Sequence, residues 1–346
     1  MTENKKEKLG WINGHWGIFK DLTVPLNDRG LNFADGIFET ILILNGVPQL
    51  LDEHLNRWEK SASILEMNSP PSKEWLISLV EDGINQAQLK NINGVIRINW
   101  TRGESEQRGI DISKTSLHSF WLEIDSYQPN FESISTIISQ TERRNSFSRL
   151  SSCKTFSYNQ EIQARIEAKN LGFNDALLLN SQGEICCATT ANILVKRENN
   201  WLTPPSNSGC LPGIMRQRGI ELNIIKEALI EATPQDNDEW FLINSLSCRP
   251  IQKINKNIED KLVFYIRRKN KSLEKMIPFR DLFYLPAKRD VKSFFINQDA
   301  TYLIVFPSTR IAKITWKLNQ MPSNVKYLGF IVCDFLTTRT DDCIEV

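Results

Sequence analysis

Two Asn-Gly pairs, Asn13-Gly14 and Asn45-Gly46, each lie between short apolar runs. Asn and Gly accept the positive φ of a two-residue turn at small steric cost, so each pair marks a β-hairpin. "GWINGHW" holds the first and "GIFETILILNGVPQLL" the second. The apolar period then changes. Leu51, Leu55, Trp58, Ile64 and Leu65 recur near helical spacing in "LDEHLNRWEKSASILEM", which predicts a helix. "SKEWLISLVEDGINQAQ" predicts a second helix, starting near Ser72 with Glu74 in its first turn. "GVIRINWTRG" and "SFWLEIDSY" read as strands again. Hairpins interleaved with helices predict a mixed α/β fold.

"DSYQPNFES" has mixed polarity and Pro129 and reads as a linker, so the first domain is placed at residues 1–127. The second, 128–261, opens with the strand "SISTIISQ". Its helix starts after "CKTF", with Ser157 as N-cap and Gln160 three residues later as in a capping box. Ile162 and Ile166 form its apolar stripe and Gly172 closes it. A hairpin follows: "DALLL", the turn "NSQG", then "EICCATTANILV". "SGCLPGIMRQRGIELNIIKEALIEA" reads as a loop entering a helix, and "EWFLINSLSCRPIQKI" as strand and turn. Residues 262–346 form an extension of unassigned fold. There "KLVFYIRRKNKSLEKM" resembles a basic helix, and "ATYLIVFPS" and "KYLGFIVCDFL" resemble buried strands.

Composition removes several functional classes. A net charge of +1 over 346 residues gives no global pull towards nucleic acid or an anionic membrane. No apolar run is long enough to span a bilayer, and "MTENKKEKLG" lacks the apolar segment of a signal peptide. Seven cysteines, an odd number with no CxxC, suit free thiols in a reducing cytoplasm. The three histidines lie far apart, so no metal site is expected. GxGxxG, P-loop and GxSxG patterns are absent.

Three features carry candidate chemistry. Lys154 lies between a strand and a helix among small or apolar neighbours. By itself such a lysine is usually a solvated charge, but burial favours its neutral amine, the form that makes an imine. "CLPGIMRQ" feeds a tight turn into a helix N-terminus, where unpaired N–H groups suit a phosphate; alone it is equally a plain Pro-Gly turn. Arg57 is a helix arginine that alone reads as a surface charge. An imine-forming lysine, a phosphate cradle and an arginine together suggest pyridoxal 5'-phosphate.

The motifs occur in an order that resembles the class IV aminotransferase family, the fold-type IV pyridoxal-phosphate enzymes. The matching stretches are "DRGLNFADGIFET", "HLNRW", "VIRINWTRG", "KTFSYNQEIQARIEAKNLGFNDALLLNSQGEI", "ANILV", "LTPP", "LPGIMR" and "NSL". Together they cover roughly residues 10–258. The resemblance implies a two-domain fold like D-amino-acid aminotransferase, a homodimer and small-molecule substrates. It also implies residue roles. Lys154 would carry the cofactor and move protons. Arg57, the backbone N–H groups of Ile214 and Met215, and Ser245 would hold the phosphate. Tyr158 would approach the ring, while Phe38, Arg97 and Arg102 would face the substrate.

One position departs from the family pattern. Five residues before Asn192 the family usually has a glutamate, whose carboxylate pairs with the cofactor ring nitrogen; here the residue is Cys187. Glu184 is three residues away and, by strand alternation, faces the other way. Cys186, its neighbour on the strand, is expected to fill core on the opposite face. A thiol is a weak hydrogen-bonding partner, so the ring would draw electrons less strongly. Transamination depends on that pull more than elimination does. The expectation is therefore a 4-amino-4-deoxychorismate lyase that releases pyruvate and makes 4-aminobenzoate for folate. A branched-chain or D-amino-acid aminotransferase is the alternative, and a non-catalytic pyridoxal-phosphate-binding homologue the third reading.

Overall fold

The computed structural model describes residues 7–112, 117–257, 262–265, 293–296 and 302–305. Residues 1–287 cluster as one unit and 288–346 as another. In the first unit, β1 (Leu9–Ile12), β2 (His15–Ile18), β3 (Gly36–Leu44), β4 (Val47–Pro48), β5 (Gly94–Thr101) and β6 (Ser119–Ser126) form an antiparallel sheet. Its order is β2-β1-β6-β5-β3-β4. Asn13-Gly14 and Asn45-Gly46 are hairpin turns with positive φ at all four residues. At Gly46 a side chain is also excluded, because a Cβ would lie 2.1 Å from the Lys90 carbonyl.

A short α1 (Arg29–Phe33) precedes β3. The two helices expected from the apolar spacing are α2 (Leu51–Ile64) and α3 (Lys73–Gln86). Ser72 caps α3, its hydroxyl accepting from the Trp75 N–H. Leu55, Trp58 and Ala62 of α2, with Leu76, Leu79 and Val80 of α3, pack on Ile37, Ile41, Ile43, Ile96 and Ile98 of the sheet. Burying such a layer is the main gain that holds the helices to the sheet.

The second sheet contains β7 (Ile134–Arg144), β8 (Asp175–Asn180), β9 (Ile185–Ala188), β10 (Asn192–Arg197), β11 (Asn200–Thr203), β12 (Ile225–Glu227), β13 (Glu239–Asn244), β14 (Ser247–Asn257) and β15 (Leu262–Tyr265). Its main path is β12-β11-β10-β13-β14-β7-β8-β9, with β15 on β14. We place the division between the two sheet domains in the segment joining β6 to β7. α4 (Asn159–Asn170) packs on β7 and β8, and α5 (Ile214–Glu221) follows the "CLPG" turn.

Several local expectations change. The N-cap of α4 is Tyr158, not Ser157, and the Gln160 side chain donates to the Arg143 carbonyl instead of closing a capping box. Ile162 and Ile166 point outward, 50% and 45% exposed, while Glu161, Ala164 and Ala168 form the buried face. α5 is shorter than the stretch that suggested it. The chain turns at Asn223, with φ +57°, and returns as β12 parallel to β11. Gly219 permits this return, since a Cβ there would lie 2.2 Å from Ile225.

Leu262–Tyr265 is a strand rather than the start of the basic helix expected over 261–276, in keeping with the β-preference of Val, Phe and Tyr. The remainder of that stretch and the strand expected over 326–336 lie outside the described residues. In the second unit, β16 (Ser293–Ile296) and β17 (Tyr302–Val305) pair antiparallel.

Candidate active site

The start of β3 brings the first sheet to the lysine segment. Phe38 N–H donates to the Lys154 carbonyl (2.9 Å), and Phe156 N–H donates to the Gly36 carbonyl (3.0 Å). Lys154 Nζ donates to the Tyr158 hydroxyl at 3.0 Å and lies 4.2 Å from the centre of the Phe38 ring. Three of the expected site residues thus meet around one nitrogen.

Arg57 is anchored by a residue the sequence reading passed over. Glu39, fully buried on the helix-facing side of β3, accepts from Arg57 Nε (2.7 Å) and Nη2 (2.6 Å), and from His54 Nδ1 (2.7 Å). Burial alone would raise the Glu39 pKa, but Arg57 and His54 overcome it and bring it to about 2. Burial lowers the His54 pKa, aided by Arg57 and Lys154 and opposed by Glu39. A neutral His54 then donates its Nδ1 proton to the carboxylate. Arg57 Nη1 donates to the Pro212 carbonyl at 3.0 Å, which sets the guanidinium against the Leu211–Met215 turn. An acid inside the apolar run of "GIFETILIL" was the available signal, because a buried charge needs a partner.

That turn is held by Asn192, whose Nδ2 donates to the Leu211 carbonyl at 2.8 Å. Gly213 caps α5 without a side-chain bond, and a Cβ there would lie 1.9 Å from Asn192 Oδ1. The buried first turn therefore presents the N–H groups of Ile214 and Met215, which an α-helix leaves without internal partners. Asn192 pairs with Ile243, so Ser245, in the turn between β13 and β14, falls at the same end of the sheet. Backbone donors, a glycine that cannot be enlarged and a neighbouring arginine fit a phosphate group.

Cys187 lies on β9, whose end meets the start of β10 through the Ala188 N–H to Ala191 carbonyl bond (2.9 Å). Across β8 and β9, Leu178 pairs with Cys187 and Leu179 with Ile185, leaving Cys186 as the extra residue of a β-bulge. Strand alternation therefore fails here. Both cysteines join the cluster of Ile137, Ala164, Ala168 and Cys210, while Ile185 and Ala188 face the other core. Cys186 does not occupy the opposite face, as the simple alternation implied. The adjacent Cys186 thiol and the Arg144 charge lower the Cys187 pKa against the opposing effect of burial, while Cys187 and burial raise that of Cys186. Arg144 is ion-paired with Glu161, so the charge of the nearest helix carboxylate is offset.

Arg97 and Arg102, alike in sequence, differ in place. Arg97 stacks on Phe38, its guanidinium carbon 3.8 Å from the ring centre, and its side chain is 38% exposed. Arg102 is buried. It donates from Nε to Asp35 (2.9 Å), from Nη1 to the Glu66 carbonyl and from Nη2 to the Leu65 carbonyl. These bonds make Arg102 a brace between loops rather than a residue facing substrate, which corrects the expectation for it. Phe156 and Trp121, 5.8 Å apart, extend the aromatic wall around Phe38 and were missed. Their side chains come together only through long-range strand pairing.

Comparison with known proteins gives a consistent result. A family profile described as amino-transferase class IV matches residues 36–254. A putative branched-chain-amino-acid aminotransferase of Methanocaldococcus jannaschii is 29% identical over 227 residues, 65% of this chain and 77% of that protein. An aminodeoxychorismate lyase of Bacillus subtilis is 23% identical over 254 residues, 70% and 86% of the two chains. Among solved structures, the Escherichia coli branched-chain amino acid aminotransferase superposes with a TM-score of 0.70 at 19% identity, covering 81% of this chain and 94% of that one.

Proposed function

This chain belongs to the class IV aminotransferase family of pyridoxal-phosphate-dependent enzymes, and from that premise we propose that it is a 4-amino-4-deoxychorismate lyase. The observation that carries this reading is Cys187, buried where the family usually has a carboxylate. A thiol is a weak hydrogen-bonding partner, and the nearby Glu161 is paired with Arg144. The ring nitrogen would thus meet a weak partner. This suits a reaction in which the electrons depart with a leaving group.

Bound pyridoxal phosphate supplies an aldehyde for the substrate amine and a ring that draws electrons from the neighbouring carbon. Arg57, Ile214, Met215 and Ser245 would hold its phosphate. Lys154 takes the proton from the substrate carbon bearing nitrogen. The same amine returns a proton to the departing enolpyruvyl group. The carbon–oxygen bond breaks, pyruvate leaves and the remaining ring becomes aromatic 4-aminobenzoate. Tyr158, hydrogen-bonded to Lys154 Nζ, orients that amine. Arg97 receives a substrate carboxylate.

Protein loaded with cofactor and given aminodeoxychorismate should release pyruvate, and Lys154→Ala should not. Absence of pyruvate from the wild type would refute the lyase reading. A branched-chain or D-amino-acid aminotransferase is the second reading. The name of the archaeal relative favours it. So does the buried Glu161 Oε2, which has no hydrogen-bond partner among the described residues. Conversion of bound cofactor to its amine form by an ordinary amino acid would support that alternative. A homodimer belongs to the proposal as well: Ile162 and Ile166 leave apolar surface to cover, and sedimentation would measure it.

A further inference from the structure

Arg97 does not stand alone on its sheet face. Strand register sets two rows across β3, β5 and β6: Phe38, Asn99 and Trp121 in one, and Thr40, Arg97 and Glu123 in the next. Residues two apart share a face, so Asn99 and Arg97 are neighbours by construction. Asn99 is 1% exposed. Its Nδ2 donates to the Trp121 carbonyl at 3.4 Å, which turns its Oδ1 towards the arginine, and that oxygen accepts from Arg97 Nε at 2.8 Å. Glu123 Oε1 lies 3.6 Å from the same Nε, and its Oε2 is ion-paired with Lys8. No hydrogen bond from either Arg97 Nη occurs among the described residues.

We propose that Asn99 is a positioning residue that fixes the Arg97 guanidinium flat on Phe38 and turns its Nη edge to one carboxylate of a planar, unsaturated ring substrate, with Glu123 offsetting part of the arginine charge. The inference rests on the reading that Arg97 meets a substrate carboxylate. An arginine held only through Nε keeps its two Nη groups for an end-on pair of hydrogen bonds to a carboxylate. Phe38, Phe156 and Trp121 supply flat apolar walls beside it, the surroundings a ring carboxylate needs. Without the Asn99 oxygen, the guanidinium would rotate on its long stem and binding would have to restore its orientation.

The test uses calorimetric binding of 4-aminobenzoate, an aromatic monocarboxylate, to cofactor-loaded protein, with 4-aminobenzamide as the uncharged control. Asn99→Leu should weaken 4-aminobenzoate binding by about tenfold, or about 1.4 kcal/mol, with the benzamide unaffected. Glu123→Gln, a partly buried variant expected to fold in any case, should tighten 4-aminobenzoate binding by about threefold, in line with removal of one partly screened charge. Wild-type affinity in Asn99→Leu beside weakened binding in Arg97→Leu overturns the proposal alone, as does unchanged or weaker binding in Glu123→Gln. Unchanged affinity in Arg97→Leu overturns the underlying role of Arg97 and the proposal with it.

Discussion

Replacing Glu39 by glutamine keeps the shape of a buried side chain and removes its charge. Glu39 accepts two bonds from Arg57 and one from His54, and its pKa lies at about 2 against an ordinary 4.5. A carboxylate with a depressed pKa stabilises the fold above its unfolded value, and that contribution is lost as pH falls through the folded value. The difference between 4.5 and about 2 corresponds to roughly 3 kcal/mol at neutral pH. Removing one partner of a buried ion pair costs about 3–5 kcal/mol, so two independent routes agree. Urea unfolding of cofactor-free protein should show Glu39→Gln less stable by about 3 kcal/mol at pH 7. At pH 3.5, where the unfolded carboxyl is mostly protonated, the gap should narrow to roughly 2 kcal/mol. A gap below about 1 kcal/mol at neutral pH, or one that does not shrink on acidification, would refute the argument. The same variant should bind pyridoxal phosphate more weakly, because Arg57 loses its anchor.

Gly213→Ala places a methyl group on Asn192 Oδ1 and should lower pyridoxal phosphate affinity by about tenfold or more, measured by absorbance titration. Cys187→Glu should raise conversion of the cofactor by ordinary amino acids relative to pyruvate release, and an unchanged product ratio would remove the ring-nitrogen argument. Arg102→Ala removes a buried charge that bonds to Asp35 and to the Leu65 and Glu66 carbonyls; it should cost about 3 kcal/mol in thermal unfolding. Arg97→Ala, at a partly exposed site, should cost about 1 kcal/mol or less.

What could be read in the chain was local. Asn13-Gly14, Asn45-Gly46 and the Ser72 cap are short-range signals, and each produced the expected turn or helix start. The apolar spacing of α2 located Arg57 on a helix but could not show Glu39 across eighteen residues, because that contact depends on how helix and sheet pack. Arg97 and Arg102 look equivalent in "RINWTRG", and only the fold around Asp35 separates brace from candidate ligand. α4 misled for a physical reason. Its apolar Ile162 and Ile166 face out, while Glu161 is buried by its ion pair with Arg144. The bulge at Cys186 is a change in register, and nothing in "EICCATT" announces one.

The bonds from Phe38 to Lys154 and from Phe156 to Gly36 join main-chain atoms only. Lys154 is thus mounted on the first sheet by groups that every amino acid except proline can provide. The main chain at Lys154 is therefore held whichever side chains stand at positions 38 and 156. Variation there would change what enters the site while leaving its working nitrogen in register. A mount of this kind separates the inheritance of the reaction from the inheritance of the substrate. It offers a physical route by which relatives about 23–29% identical to this chain could carry different activities on one frame.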